Sequence, residues 1–227
     1  MQHPRKKMTR RELKEDKFII ATMKAKDYLE KNSKLIIRGI IGLIIVAVIV
    51  VFFVRSKHEA SANAATMLGQ VQLKLNAGQQ ASVMDSLILI TERYDGTVAA
   101  GKATFLLGKL KWENNDFENA KQYFKEYIDD YSDETVVTQS ALAGYADCLV
   151  QEENYQQAAE YYERAGKVNP DLPESPEFFF SAAAAYKEAG EFDKAEELAE
   201  KIVNDYQNVQ IKNKAEILLE SLKYARS

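Results

Sequence analysis

The chain has 227 residues and a formal net charge of −4, and it is poor in Gly and Pro. This composition predicts a mostly helical protein. Its single cysteine, Cys148, excludes an internal disulfide and a cysteine-rich metal site. The two histidines, His3 and His58, lie on opposite sides of an apolar stretch, so neither a His-containing catalytic set nor a His-based metal site is expected. We therefore predict a protein that is not an enzyme and binds no cofactor or metal.

The first element in chain order is the apolar stretch LIIRGIIGLIIVAVIVVFFV, residues 35–54, in which Arg38 is the one charged residue. Twenty helical residues span about 30 Å, the thickness of the hydrocarbon core of a bilayer. A cleaved signal peptide is the alternative. However, the stretch is longer than a typical signal h-region, and no small-x-small cleavage site closely follows it. We predict an uncleaved transmembrane helix at 35–54, embedded in the lipid bilayer.

Charge is distributed unevenly around this helix. The leader, residues 1–34, carries eleven Lys and Arg against five acidic residues, a net charge of +6. Residues 59–227 carry 16 Lys and Arg against 29 acidic residues, a net charge of −13. Because Lys and Arg are retained on the cytoplasmic side, the leader is predicted to be cytoplasmic and the acidic part to lie across the membrane. The acidic part argues against nucleic-acid binding, and the leader is suited to lipid headgroups.

Beyond residue 58 the sequence repeats as pairs of short amphipathic helices. Small residues recur at Ala120, Ala158 and Ala195, which are 38 and 37 residues apart. The turn inside each pair is predicted at 115–117, 153–155 and 190–192. The helices of a pair are expected to touch at small residues, namely Gly108 with Ala120, Ala146 with Ala158, and Ala183 with Ala195. A degenerate earlier copy has Leu68, Gly69 and Ala81, and residues 208–227 are predicted to form a cap helix.

This pattern resembles the tetratricopeptide repeat family over about residues 60–207. The resemblance implies an all-α protein in which about four helical hairpins, residues 58–207, stack into a solenoid closed by the cap helix at 208–227. The period exceeds the family's ~34 residues, which fits long connections such as 168–177, with its three prolines. Lys111 and Ala199 stand where the family usually has aromatic residues.

On this frame Phe179 is a packing residue at the start of a first helix, and the first helices line a groove for an extended or nascent polypeptide. The alternative is that the aromatic residues at the groove are core residues near its rim. The family's clamp for C-terminal carboxylates is not expected, because the pairs Phe105/Lys109, Ala143/Asp147 and Phe180/Ala184 do not match its Lys, Asn and Arg positions. The residues predicted to line the groove are Phe105, Lys109, Trp112, Asp147, Phe180 and Lys187.

The whole layout is a basic leader with MTRRELKEDKF, one span with the N-terminus inside, then repeats and a cap. It is similar to the bacterial inner-membrane ancillary SecYEG translocon subunit family. This resemblance implies a periplasmic repeat domain that attends emerging secretory polypeptides in a chaperone-like role. The implied partners are the SecYEG translocon and a membrane-anchored parvulin-type prolyl isomerase.

Two other classes remain open. One is a structural scaffold of another cell-envelope complex, without client binding. The other is an N-anchored import receptor whose repeats face a eukaryotic cytosol, and the charge bias argues against it.

Overall fold

The computed structural model describes residues 10–79, 83–132 and 134–225, with the side chains of residues 10–18 and 36 left aside. Within these ranges every regular element is an α-helix, which confirms the all-α prediction. Ala81 and residues 1–9 of the leader lie outside the described residues. The helices are α1 (Arg10–Asn76), α2 (Met84–Arg93), α3 (Val98–Glu113), α4 (Phe117–Asp130), α5 (Thr135–Gln151), α6 (Tyr155–Val168), α7 (Ser175–Glu188), α8 (Phe192–Asp205) and α9 (Val209–Ala225).

The chain divides into two compact units, Met1–His58 and Glu59–Ser227, and α1 contributes residues to both. In the first unit α1 carries the apolar stretch 35–54. The most apolar window of this helix has a mean hydropathy of 3.0, and none of that window is buried. By length and composition α1 can therefore cross a membrane. No proline interrupts residues 10–76, and α1 is one continuous helix over this range. The predicted boundaries of the leader, at residue 34, and of the span, at residue 54, are therefore not helix ends.

The second unit contains the helical hairpins. Each helix from α2 to α9 packs against the next along the chain. The hairpins α3–α4, α5–α6 and α7–α8 fall at the predicted repeats, and α9 packs on both α8 and α7. In addition α3 contacts α5, so the first helices of these two hairpins are neighbours. The arrangement is the stacked-hairpin solenoid predicted from the spacing.

The three intra-hairpin turns share one backbone geometry. Asn115, Glu153 and Gly190 have φ values of 58°, 59° and 77°, and they recur at the repeat spacing. In each turn the left-handed residue donates its N–H to the carbonyl three residues earlier, and the next residue donates to the carbonyl five residues earlier, at 2.8–3.0 Å. This is the Schellman motif, which ends a helix at a left-handed residue. The turns therefore reverse the chain in the same way in all three hairpins.

Small residues allow aromatic rings to enter the stack. Ala120, Ala158 and Ala195 are fully buried, which agrees with their predicted place between helices. The ring of Phe124 on α4 lies against Gly108 of its own hairpin and Gly144 of the next one. A Cβ atom added at Gly108 or Gly144 would come within 2.9 Å or 2.6 Å of this ring. The aromatic side chain thus joins one hairpin to the next.

The long connection between α6 and α7 is held by a buried amide. The Gln139 Nε2 atom donates to the carbonyl oxygens of Ala165 and Asn169 and to Ser175 Oγ, at 3.0, 3.3 and 2.9 Å. Ser175 Oγ in turn donates to Asn169 O at 2.6 Å. Gln139 and Ser175 are both buried, so these hydrogen bonds satisfy polar groups that water does not reach. The connection is fixed against α5 although it has no regular structure of its own.

Candidate interaction surface

The predicted groove residues lie on α3, α5 and α7, the first helices of the three well-defined hairpins. The helix α3 contacts α5, so the surfaces of these two helices adjoin, whereas α7 packs on α6 and on the cap helix α9. Phe105 and Trp112 are half-buried on α3, Asp147 is half-buried on α5, and Phe180 and Lys187 are half-buried on α7. Lys109 is the most exposed of the six, with 58% of its side chain accessible.

The two aromatic residues of α3 pack against other rings and are also partly exposed to solvent. Phe105 lies 6.0 Å from the ring centroids of both Phe124 and Tyr127 on α4. Trp112 lies 4.7 Å from the ring of Phe117, across the turn of the same hairpin. Edge and tilted contacts of this kind stabilise a fold beyond the area they bury. Part of each side chain remains accessible, so both residues lie at the boundary between the core and the surface.

Lys109 lies at an open cleft of about 410 Å³ between α1 and α3. The cleft is lined by apolar side chains that include Leu75, Leu106 and Leu110, and its polar lining includes Gln72. Lys109 Nζ lies 3.9 Å from Glu113 Oε1, one turn further along α3. Such an exposed pair contributes little to folding. The ammonium group is therefore available to a bound partner.

Asp147 makes a hydrogen bond within its own hairpin. Its Oδ1 atom accepts a short hydrogen bond from the Tyr162 hydroxyl on α6. Burial raises the pKa of the Asp147 carboxyl, and the hydrogen bond from Tyr162 lowers it by less. Asp147 therefore links α5 to α6 through a hydrogen bond, and its side chain is still partly exposed.

Phe180 lies beside the cap helix. Lys214 Nζ on α9 is 5.7 Å from the Phe180 ring centroid and 3.1 Å from Glu177 Oε2 on α7. Phe179, by contrast, is 1% exposed and packs against Gly166, which confirms its predicted packing role. Its neighbour Phe180 therefore forms part of a cation–aromatic contact at the end of the array.

In the described part of the chain no hydrogen bond, ion pair or ring contact joins any two of the six predicted residues. They are spread along the array, as the contacts of an extended ligand are, and do not form a compact pocket. Sequence reasoning missed Gln72 and Leu75, because they lie in the degenerate first copy. It also missed Lys214, because a cap helix carries no repeat signal to mark its inner face.

Among the described residues no cluster of His, Cys, Asp and Glu could hold a metal ion. Cys148 is buried, and burial raises the pKa of its thiol to about 12, so little reactive thiolate forms at neutral pH.

Comparison with known families agrees with the stacked hairpins. The model of a family described as "Tetratricopeptide repeat-like domain" matches residues 26–169, well over half of the chain. The chain belongs to this tetratricopeptide repeat-like domain family. A second model, described as "Tetratricopeptide repeat", matches residues 149–217. Together the two matches cover the apolar stretch, all the hairpins and the first part of α9.

Solved structures with similar repeats share the fold at low sequence identity. MamA from Desulfovibrio magneticus RS-1, residues 41 to the end, has a TM-score of 0.53 and 14% identity, covering 72% of this chain and 93% of that chain. A MamA RS-1 double mutant has a TM-score of 0.52 and 15% identity, with coverages of 72% and 96%. The nearly identical TPR-like repeats from Podosopora anserina give 0.52 and 13%, with coverages of 73% and 96%. No curated protein sequence matches the chain.

The family and the fold identify the repeat unit as a platform for protein–protein interaction. A solenoid exposes a long continuous surface relative to its core, and such surfaces suit extended polypeptides. In the repeats of this chain, α3 and α7 carry half-buried aromatic side chains, and α3, α5 and α7 carry charged side chains that are at least partly exposed.

Proposed function

We propose that the chain is a membrane-anchored, non-enzymatic repeat protein that binds polypeptides or partner proteins at the protein-secretion translocon. In this proposal α1 anchors the chain in the inner membrane, and the repeats act as a chaperone-like ancillary subunit on the periplasmic side. One observation carries the proposal. A single family model matches residues 26–169, and this range includes both the apolar stretch and the first hairpins.

The charge pattern supports the orientation. The leader has a net charge of +6 and residues 59–227 have a net charge of −13. Positive residues flanking a first span favour the cytoplasmic side. A repeat domain outside the cytoplasm meets polypeptides as they emerge from a translocon. The resemblance in layout to the ancillary SecYEG translocon subunit family supports that setting, with the translocon and a membrane-anchored parvulin-type prolyl isomerase as partners.

Side-chain chemistry supports a polypeptide ligand. Phe105, Trp112 and Phe180 keep part of their rings accessible, and Lys109 and Lys187 place ammonium groups on the same three helices. Aromatic residues dominate the energetics of many protein interfaces. Charges around them act through association rate and specificity more than through affinity. An emerging secretory chain offers both apolar segments and a hydrogen-bonding backbone to such a surface.

The experiment is affinity purification of the tagged full-length chain from mild detergent after cross-linking in cells. We expect translocon subunits and the prolyl isomerase to co-purify. Lys109→Ala is the test variant and Lys125→Ala is its matched control. Both lysines are exposed, and each forms an ion pair with an acidic residue four positions later. Lys109→Ala is expected to lower the cross-link yield several-fold, as the loss of a rim charge does, and Lys125→Ala on α4 is not.

The double substitution Trp112→Ala with Phe180→Ala tests the aromatic contribution. It is expected to leave the helical signal and membrane insertion intact and to lose the cross-links. If the folded double variant keeps its cross-links, the α3–α5–α7 surface is not the binding surface. The chain is then better described as a scaffold of another cell-envelope complex, and partners dock elsewhere.

A further inference from the structure

A second surface lies in the first unit, on the uncovered side of α1. Residues recur there at alternating spacings of four and three and form one continuous stripe, which we call the α1 seam. Before residue 35 the stripe runs between polar and charged positions, and from residue 35 on it continues with the same spacing inside the apolar stretch. The seam consists of Ala21, Ala25, Tyr28, Asn32, Leu35, Gly39, Gly42, Val46, Ile49 and Phe53.

The seam has no covering in the described part of the chain. Tyr28 is 66% exposed, Leu35 74% and Phe53 63%. Nothing lies within 4 Å of a Cβ atom built at Gly39 or Gly42. Between residues 24 and 34 the apolar side chains are Ala25, Tyr28 and Leu29, which are on the seam or directly beside it. The helix therefore has one apolar side even before the apolar stretch 35–54 begins.

The charged residues of this region lie off the seam. Lys26 and Glu30 form an exposed ion pair at 3.8 Å on the opposite side of the helix. Lys24, Lys31 and Arg38 each precede a seam residue and form a row with a spacing of seven along one edge. The other edge is uncharged, with Thr22, Leu29 and Leu43.

We propose that the α1 seam binds a second copy of this chain in a parallel, two-stranded helical pair. Two copies with the same membrane topology meet in parallel, so each seam residue lies opposite its own counterpart. In that geometry the basic edge of one copy lies beside the uncharged edge of the other. The cationic groups of the two copies are thereby kept on opposite sides of the pair, and the lysine stems cover Leu29. The proposal is independent of the groove function proposed above.

Asn32 gives the pair its register. It occupies an a position of the heptads, where a single Asn favours a parallel dimer because it pairs with the Asn of the other helix. One N–H of the Asn32 side chain donates to the Tyr28 carbonyl oxygen at 2.9 Å. The second N–H and the side-chain oxygen are left to reach the Asn32 of the other copy. Sliding one helix by a heptad would separate these amides and leave them facing apolar residues.

The seam is long enough for a stable pair. From Ala21 to Phe53 it extends about 48 Å at helical rise. Contact over that length buries on the order of 1,000 Å², which a specific interface needs. Inside the bilayer, where apolar burial no longer drives association, Gly39 and Gly42 allow the two backbones to approach closely. The leader part is driven by removal of Tyr28 and its neighbour Leu29 from water.

The test is disulfide cross-linking of the full-length chain in native membranes. Cys148 is the only cysteine and is buried, so Cys148→Ala gives a cysteine-free background. Single cysteines are then introduced as Tyr28→Cys and Leu35→Cys on the seam, with Met23→Cys and Ser33→Cys off the seam as exposed controls. After mild oxidation we expect covalent dimers at the two seam positions, with a yield at least about fivefold above the controls, because opposed d positions come within disulfide distance.

Three outcomes of the cross-linking would overturn the proposal. Equal dimer yields at all four positions indicate random collision. Absence of dimer at both seam positions means that lipid or another molecule covers the seam. Seam-specific adducts of a different mass identify a different membrane protein as the occupant. Co-purification of two differently tagged copies, without introduced cysteines, checks that the substitutions do not create the dimer. Failure to recover the second tagged copy would contradict the proposed pairing.

Discussion

At the scale of single residues, the least favourable backbone position in the repeats belongs to a glutamate. Glu153 has a φ of 59° at the turn where the next hairpin has Gly190. A non-glycine residue in the left-handed region is strained, whereas glycine adopts it freely. The turn is thus retained in the α5–α6 hairpin by its Schellman hydrogen bonds and not by its residue type.

Exchanging the residue types at these turns is expected to shift stability in opposite directions. Glu153→Gly should raise the free energy of unfolding by about 0.5–1 kcal/mol, and Gly190→Ala should lower it by about 1 kcal/mol. Chemical denaturation of both variants measures this. A loss of stability in Glu153→Gly would mean that the glutamate side chain makes a contact more important than the backbone strain.

The raised pKa of Asp147 gives a pH-dependent prediction. A carboxyl group with a raised pKa in the folded state binds its proton more tightly there than in the unfolded state. Its contribution to stability is therefore lost as the pH rises through the carboxyl range, from about 4 upward. Asp147→Asn keeps an acceptor for the Tyr162 hydroxyl and should be more stable than the parent at pH 7. In melting curves across the acid range, the advantage should vanish below about pH 3.5. A difference that does not change with pH would rule out this cause.

The buried amide of Gln139 provides the third residue-scale prediction. Gln139→Leu removes the amide donor to the carbonyl oxygens of Ala165 and Asn169 in a buried region, and Asn169 O keeps the hydrogen bonds from Ser175 and Leu172. The expected loss is about 1–3 kcal/mol of unfolding free energy. Ser140→Ala is the neighbouring control, because the Ser140 hydroxyl donates to the Val136 carbonyl oxygen at an exposed site. Equal losses in the two variants would show that the network does not hold the connection.

At the scale of elements, small residues determine how closely paired helices approach. Ala158 and Ala195 have no accessible surface, whereas Glu160 on the same helix as Ala158 is exposed. Ala158→Leu or Ala195→Leu should therefore overpack the contact, at a loss of about 1–3 kcal/mol or more. Glu160→Leu should leave the melting temperature nearly unchanged. Similar melting temperatures for all three variants would contradict the helix register.

The positions of turns and of buried alanines could be predicted from the sequence. Turn positions and tight alanines follow from local spacing, so the periods of 38 and 37 residues located Ala158, Ala195 and the left-handed residues of the turns. Contacts between elements distant in the chain have no such signal. The insertion of Phe124 against Gly144, the hydrogen bonds of Gln139 and the approach of Lys214 to Phe180 depend on how hairpins stack. The six groove residues could be placed on first helices, and a core role for the aromatic ones was the stated alternative, but the rings that Phe105 and Trp112 contact could not be predicted.

At the scale of the whole molecule, we propose that α1 lies in the membrane and that the repeats lie on the side opposite the leader. The family match and the stacked hairpins establish the interaction fold. The apolar length of α1 is compatible with a single-pass anchor. The charge difference between residues 1–34 and 59–227 predicts the orientation. If the orientation were reversed, the repeats would meet cytoplasmic partners and the secretory proposal would fail.

Protease accessibility in spheroplasts tests this claim most directly. The full-length chain, tagged at either end, is exposed to protease before and after the inner membrane is permeabilised. Digestion of residues beyond 58 in intact spheroplasts, with the N-terminal leader protected until permeabilisation, is the result we predict. Protection of the repeats in intact spheroplasts, with digestion only after permeabilisation, would contradict the topology and the translocon-side function that depends on it.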